Sequence, residues 1–189
     1  YLNTGYATYG REIMRRLYQS EKYDLAEFGS YGDINDPRSG GIPWKFYSNA
    51  PDENNPKEVE EYHNKPTNQF GEWKFESVLL DFKPDIVFDI RDFWMVDFQE
   101  RSPFRKFFHW VIMPAVDASP QNEQWLATYA NADGVFSYSD WGFNLLKEES
   151  NNKINCLGSA SPSADEAYKP VDDKDKHKLS MGFEPGVKI

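Results

Sequence analysis

The sequence is poor in cysteine, in histidine and in long apolar runs, and each shortage excludes a class of protein. Cys156 is the single cysteine among 189 residues, so a disulfide within the chain is impossible and no cysteine-based metal cluster is indicated. No apolar run approaches the roughly 18 residues of a membrane-spanning helix, and no signal peptide is visible. Together these shortages predict a cytoplasmic protein that requires no metal or cofactor and has no transmembrane segment.

Basic residues are outnumbered by acidic ones. There are 21 lysines and arginines against 31 aspartates and glutamates, which gives a formal net charge of -10. Binding to a nucleic-acid backbone or to an anionic membrane surface needs clustered positive charge, so neither partner is predicted. A hydrophobic content of 39% with 28% charged residues instead indicates a soluble globular chain with a core of its own.

Aromatic residues, in contrast, are abundant, at 16% of the chain. Their rings usually supply buried core area, which is one interpretation of this excess. The other is that several of them lie in loops and line a binding cleft. The candidates for such a cleft are Trp44, Phe46, Tyr47, Trp94 and Trp141.

Predicted strands alternate with predicted helices along the chain. The apolar spacing predicts helices over 7–19, 68–82, 124–132 and 141–149. Strands are predicted over 23–30, 86–90, 107–113, 134–138 and 153–157, with a polar surface excursion over 49–67. Because the late strands are apolar throughout, they indicate a mainly parallel sheet covered by helices, which is a Rossmann-like, doubly wound α/β fold.

Ligands of such a sheet bind beyond the carboxyl ends of its strands. The loops to consider therefore start at Gly5, Arg91, Pro114, Ser139 and Gly158. One feature disagrees with a complete sheet, because the first strand of this fold normally precedes the glycine loop. Only three residues stand before Thr4, so that strand would have to lie upstream or come from another chain.

The segment Thr4-Gly5-Tyr6 enters the first helix. Glycine at a helix entry lets backbone N–H groups approach an anion, and the helix dipole favours negative charge there. The spacing to Gly10 fits neither a Walker loop nor a dinucleotide fingerprint, and a plain tight turn is the alternative.

Two further segments place polar residues at strand ends. Asp92 and Trp94 follow the strand over 86–90 and could bind a ligand hydroxyl and stack on a ring, unless Asp92 only pairs with Arg91 or caps the next turn. Asp117 follows the strand over 107–113, where it is either a site residue or part of an Asp-Ala-Ser-Pro turn. His109 lies inside that strand and is interpreted as a core or edge histidine.

The two ends of the chain together resemble the N-terminal half of a GT-B glycosyltransferase of the retaining group 1 family. The resemblance is carried by Thr4–Glu12 and by Ala132–Gly142, in which Ser139 starts a helix after a buried strand. It implies that Thr4, Gly5 and Tyr6 face the diphosphate of a nucleotide-sugar donor. It also implies that Asp117 stands where the family often has a catalytic histidine, and that Asp92, Trp94 and Ser139 bind the acceptor. Simple helix capping is the alternative for Ser139.

The resemblance implies a fragment of a longer enzyme that transfers a sugar to an acceptor hydroxyl. Residues 1–170 would form the acceptor-side domain and 171–189 the linker and the start of a donor-binding domain, with a passage marked by Gly158-Ser159-Ala160 and Glu166–Pro170. Two other interpretations stay open. One is a non-catalytic α/β module that binds a ligand or protein, and the other is a sugar-nucleotide epimerase on the same scaffold.

Overall fold

The computed structural model describes residues 4–31, 40–163, 169–184 and 186–188. In this part of the chain, parallel strands alternate with helices, so the predicted Rossmann-like α/β class is confirmed. The strands are β1 Ala26–Gly29, β2 Lys45–Ser48, β3 Ile86–Asp89, β4 His109–Ile112, β5 Gly134–Ser137 and β6 Cys156–Ser159. The helices are α1 Gly5–Gln19, α2 Pro56–Asn64, α3 Glu72–Phe82, α4 Phe93–Glu100, α5 Glu123–Ala130, α6 Asp140–Glu149 and α7 Lys174–Ser180.

The strands form two separate sheets rather than one. β1 and β2 pair in parallel, and β3, β4, β5 and β6 form a four-stranded parallel sheet in that order. Each strand of the larger sheet follows its neighbour in the chain with a crossover helix between them, as parallel pairing requires.

One face of the four-stranded sheet carries the core. Trp110 and Ile112 of β4 and Val135 of β5 are buried there, together with residues of the helices that pack on this side. The aromatic rings of this core meet edge to face, for example Phe75 against Phe98 with ring centroids 5.3 Å apart. The helical part of the core consists of Phe70, Phe75, Leu79, Val96, Phe98, Tyr129 and Leu146.

Several elements differ from the sequence expectation. The polar stretch over 49–67 contains α2, which Asn55 caps by accepting a hydrogen bond from the Lys57 N–H at 3.2 Å. The helix expected from residue 68 begins only at Glu72, because Gly71 adopts a positive φ of 114° there. A side chain at Gly71 would also collide with the Phe28 ring, so this position favours glycine twice over.

One expected feature falls mostly outside the described residues, because the interdomain signature at Glu166–Pro170 overlaps residues 164–168. The domain division at residue 170 stays a prediction. No described helix is both long and apolar enough to cross a membrane.

Candidate functional site

The site begins at the first turn of α1. Thr4 is its N-cap in extended conformation, and its Oγ1 accepts a hydrogen bond from the Ala7 N–H at 3.2 Å. Gly5 is the first helical residue, so the predicted glycine loop is the helix start itself. The first turn holds no acidic residue, which leaves the positive end of the helix dipole unneutralised from within the helix.

α1 lies across the carboxyl ends of three strands of the larger sheet. The Tyr9 hydroxyl donates to the carbonyl of Ala160, just after β6, at 2.8 Å. The Tyr9 and Tyr138 rings are 5.2 Å apart, and a Cβ at Gly10 would touch Ile90 Cδ1 at 3.4 Å. Since Ile90 follows β3 and Tyr138 follows β5, these contacts carry Tyr6 to the edge of the sheet where ligands bind.

The Tyr6 hydroxyl faces Asp92 there, within reach of the charge of Asp117. Partial burial, followed by the interaction of the hydroxyl with the Asp92 carboxylate and by the charge of Asp117, raises the pKa of Tyr6 to about 12. Tyr6 and Asp92, which are 86 positions apart in sequence, are therefore neighbours in space.

The structure excludes the two alternative roles that the sequence suggested for Asp92, helix capping and pairing with Arg91. Asp92 occupies the N-cap position of α4, yet its side chain makes no capping hydrogen bond. Its neighbour Arg91 directs its guanidinium to Asp89, Ser30 and Phe70 instead. Asp92 is therefore neither a helix cap nor the ion-pair partner of Arg91, and its carboxylate is directed toward Tyr6.

Asp117 and Ser139 lie in the segments that follow β4 and β5. Asp117 is exposed, and the adjacent Val116 packs against the first turn of α6, where a Cβ at Gly142 would approach Val116 Cβ to 3.2 Å. Ser139 Oγ accepts a hydrogen bond from the Gly142 N–H at 3.0 Å. Ser139 therefore caps α6, as the capping interpretation expected, and its hydroxyl hydrogen could still be donated to a ligand.

Trp94 is not part of this group in the described contacts. It lies in the first turn of α4 rather than in a loop, and its ring meets Phe70 edge to face at 5.0 Å. Half of the residue is exposed, so the ring is accessible, but its predicted acceptor role stays a prediction. His109 lies at the amino end of β4, away from the group, with Nδ1 4.0 Å from an Asp133 oxygen.

Sequence reasoning missed two tyrosines that neighbour Tyr6 and Asp92. The Tyr138 hydroxyl donates to the Ile90 carbonyl at 2.7 Å, and burial, together with the nearby Tyr6, raises the pKa of Tyr138. Tyr129 of α5 is almost fully buried, and burial and then the Asp92 charge raise its pKa. Tyr138 stands in a segment that the sequence singled out, whereas Tyr129 resembles any apolar-face residue of a helix.

A buried polar network beneath the site was also missed. Asp89, at the end of β3, forms an ion pair with Arg91 and accepts a hydrogen bond from Gln99 Nε2 at 2.7 Å. Gln99 Oε1 in turn accepts from the indole N–H of Trp110 at 2.7 Å. This network holds the end of β3 against α4 and so positions the segment that carries Asp92. An Asp-x-Arg pair at a strand end was the available signal.

The group can form hydrogen bonds to hydroxyls but is poorly suited to an anion at its centre. The Asp92 and Asp117 carboxylates act on the Tyr6 hydroxyl, whereas the Tyr138 hydroxyl already donates to the Ile90 carbonyl and Arg91 is paired with Asp89. Among the described residues, no group of three His, Cys, Asp or Glu side chains could hold a metal ion. A concave surface of about 650 Å³ lies elsewhere beside β2 and α2, lined in part by Tyr47, Asp52 and Lys74.

The comparisons with known proteins add no assignment to this geometry. No protein-family model matches the chain, and no curated protein shows significant similarity to it.

Proposed function

We propose that this chain is the acceptor-side domain of a retaining glycosyltransferase, which transfers a sugar from a nucleotide-sugar donor to an acceptor hydroxyl. The observation that carries the proposal is the position of Tyr6 beside Asp92, with the charge of Asp117 near it, at the carboxyl edge of a parallel sheet, where the contacts of α1 with Ala160, Tyr138 and Ile90 hold it. Carboxylates that hydrogen-bond hydroxyls, walled by aromatic rings, are the chemistry that a neutral carbohydrate needs.

Each residue has a distinct role in this proposal. Asp117, exposed at the rim, accepts a hydrogen bond from the acceptor hydroxyl and so directs that oxygen toward the anomeric carbon. Asp92, held against Tyr6, orients a second hydroxyl of the acceptor. Trp94 and Ser139 extend the acceptor site on either side.

The donor is held chiefly by a second domain. The start of α1 contributes the backbone N–H groups of Gly5 and Tyr6 toward the donor diphosphate, with Thr4 fixing the helix start. Closure of the two domains excludes water that would otherwise hydrolyse the donor. The proposed location of the enzyme is the cytoplasm, where nucleotide sugars supply the donor.

Ligand-observed NMR of this chain with methyl glycosides of glucose, galactose and mannose tests the acceptor site. We expect weak binding of at least one glycoside, and a loss of at least about tenfold in affinity on Asp117→Asn or Asp92→Asn, because each change removes a charged acceptor of a hydrogen bond. Asp24→Asn, at an exposed site on another surface, is the matched control and should bind as the parent does.

Two results would contradict the proposal. Glycoside binding that both site variants leave unchanged would remove Asp92 and Asp117 from the acceptor site. Absence of glycoside binding, with a different ligand class bound at the same residues, would favour the non-catalytic binding module instead. A histidine has no place in the described cluster, which weighs against the epimerase interpretation.

A further inference from the structure

Asp117 stands in a connecting segment, residues 113–122, that is neither helix nor strand. The first residues of this segment, Met113 and Pro114, are buried, whereas residues 117–120 are exposed. A residue in a helix or strand is held by a repeated ladder of backbone hydrogen bonds, which the segment lacks. The position of Asp117 therefore depends on the individual contacts that its neighbours make.

The first of these contacts lies at the start of α6. A Cβ at Gly142 would lie 3.2 Å from Val116 Cβ, so the missing side chain at Gly142 lets Val116 pack closely against the first turn of the helix. Asp117 is the next residue along the chain. A single apolar contact sets a distance but no direction, so a second contact is needed to fix the course of the segment after Val116.

Glu149, the last residue of α6, supplies that second contact. The Ser119 hydroxyl donates to Glu149 Oε1 at 2.8 Å, and the Gln121 backbone N–H donates to Glu149 Oε2 at 2.7 Å. Both oxygens of one carboxylate are thus engaged by the same segment. Hydrogen bonds to a carboxylate are stronger than those between neutral groups, so this pair forms a firm anchor.

A brace inside the segment carries this anchor back toward Asp117. The Gln121 side chain is buried, and its Nε2 donates to the carbonyl of Ala118 at 2.6 Å. Ala118 directly follows Asp117. Glu149 therefore holds Gln121, and Gln121 holds the residue next to Asp117.

The two anchors of the segment lie on one helix. Gly142 and Glu149 are seven positions apart in α6, which corresponds to about 10 Å along the helix axis. Val116 and Gln121 are five positions apart and can span at most about 18 Å, so the segment can follow α6 from its first turn to its last. Because α6 also begins at Ser139, the same helix fixes the position of Asp117 relative to Ser139.

We propose that Glu149 is a positioning residue, whose carboxylate anchors residues 116–121 along α6 and thereby holds Asp117 at the acceptor site. Glu149 stands at the opposite end of α6 from Ser139, so it acts on the acceptor through Asp117 rather than by contact. The effect on acceptor binding rests on the proposed function, whereas the anchoring of Asp117 does not.

Relaxation of ¹⁵N at the amides of Asp117 and Ala118 tests the anchoring in the chain itself. Glu149→Ala removes both accepting oxygens, so we expect the order parameters of these amides to fall from about 0.85 to below about 0.6. Glu149→Gln keeps one accepting oxygen and should lose less order. Glu148→Ala, at the exposed neighbouring position, is the matched control and should leave both amides unchanged.

Glycoside affinity, measured by ligand-observed NMR, tests whether Glu149 acts through Asp117. We expect Glu149→Ala to weaken binding by at least about fivefold in the parent chain. In the Asp117→Asn background the same change should have no further effect, because the group that Glu149 positions is already lost. A merely structural role of Glu149 would instead weaken binding equally in both backgrounds.

Several results would overturn the inference. Unchanged order at Asp117 and Ala118 in Glu149→Ala would do so whether or not a glycoside binds, and so would equal losses of affinity in the two backgrounds. If the parent chain binds no glycoside, the proposed function fails and the relaxation data alone decide on the anchoring. If Glu149→Ala does not fold, Ser119→Ala removes one of the two donors at an exposed position, and unchanged order there overturns the inference.

Discussion

The two faces of the four-stranded sheet are packed very differently. On one face Trp110, Ile112 and Val135 are buried under helices, and the indole N–H of Trp110 donates a hydrogen bond to Gln99. On the other, Ile86 and Phe88 of β3 and Leu157 of β6 are 55%, 39% and 50% exposed. The composition of the strands is apolar on both faces, so the difference shows that burial depends on which helices the chain places on each side rather than on strand sequence.

α1 and α6 give the same contrast at the level of helices. Both begin with a side-chain cap, Thr4 in α1 and Ser139 in α6. α6 buries Leu146 completely, whereas α1 buries no residue completely. Tyr9 and Gly10 contact the sheet edge near the start of α1, and the Tyr18 ring lies 5.9 Å from the Trp44 ring near its end. A helix without a fully buried residue opens at a lower free-energy cost than one with a buried face.

The largest predicted loss of stability distinguishes the two faces of the sheet. Trp110→Ala removes a fully buried ring and leaves Gln99 Oε1 without its donor, so we expect a loss of about 3–5 kcal/mol in the free energy of unfolding. Ile86→Ala, on the exposed face of the adjacent strand, should cost about 0.5 kcal/mol. Urea unfolding of both variants measures the difference, and similar losses would show that the second face is covered in solution.

Substitutions of the two N-cap residues should have different effects on stability in α1 and α6. Ser139→Ala removes the hydrogen bond to the Gly142 N–H and should lower the free energy of unfolding by about 1 kcal/mol. Thr4→Ala removes the equivalent bond in α1 but should cost only a few tenths, roughly, because α1 frays without unfolding the core. Hydrogen exchange distinguishes the two cases, since Thr4→Ala should speed exchange within α1 alone. Equal global losses would contradict this.

A smaller effect concerns Asp133 and the stability of the fold at low pH. Burial opposes ionisation of Asp133, but the Trp110 N–H and the Arg105 guanidinium outweigh it and lower the pKa of this carboxyl below 3.8. A lowered folded pKa contributes stability that is present above the unfolded value and lost as the pH falls through the folded value. Asp133→Asn should therefore flatten the fall in stability below about pH 4. If the variant loses stability below about pH 4 as the parent does, the interactions of Asp133 with Trp110 and Arg105 do not stabilise the fold.

The smallest effect lies at the site and leaves stability nearly unchanged. Asp92→Asn should lower the pKa of Tyr6 from about 12 toward 10.0, while partial burial keeps some of the elevation. Tyrosine ¹³Cζ NMR measures the shift, and Tyr6→Phe identifies the signal. Asp24→Asn is the control. Below about pH 10 the raised pKa favours the folded state, and this contribution is lost as the pH rises toward 12. A Tyr6 that titrates at 10.0 in the parent would show that Asp92 does not face it.

The sequence was sufficient for the features that depend on local pattern. Apolar runs predicted β3, β4 and β5, and the Ser139 cap followed from residue type and position. α2 was missed because its residues are polar and its apolar spacing is weak, although Asn55 followed by Pro56 marks a helix start. α4 was missed because its first four residues are all apolar and its eight residues are too few to show a helical periodicity.

The site was predictable only in part. Tyr6, Asp92 and Asp117 could be proposed because each stands at the start of a helix or the end of a strand, and strand ends of a parallel sheet share one edge. The interactions of Arg91 and Tyr129 could not be predicted, since their partners, Ser30 and Asp92 respectively, are far away in the sequence. A single sequence does not contain the pairing between such distant positions.

The hydrogen bond from the Arg91 guanidinium to Ser30 Oγ bears on the order in which the chain folds. Its two partners are 61 residues apart in sequence, and the guanidinium reaches both Ser30 and the Phe70 carbonyl only after α3 and β3 have formed. Because closing a long loop costs conformational entropy, we expect this contact to form late in folding. Removal of the Ser30 hydroxyl should then accelerate unfolding more than it slows folding.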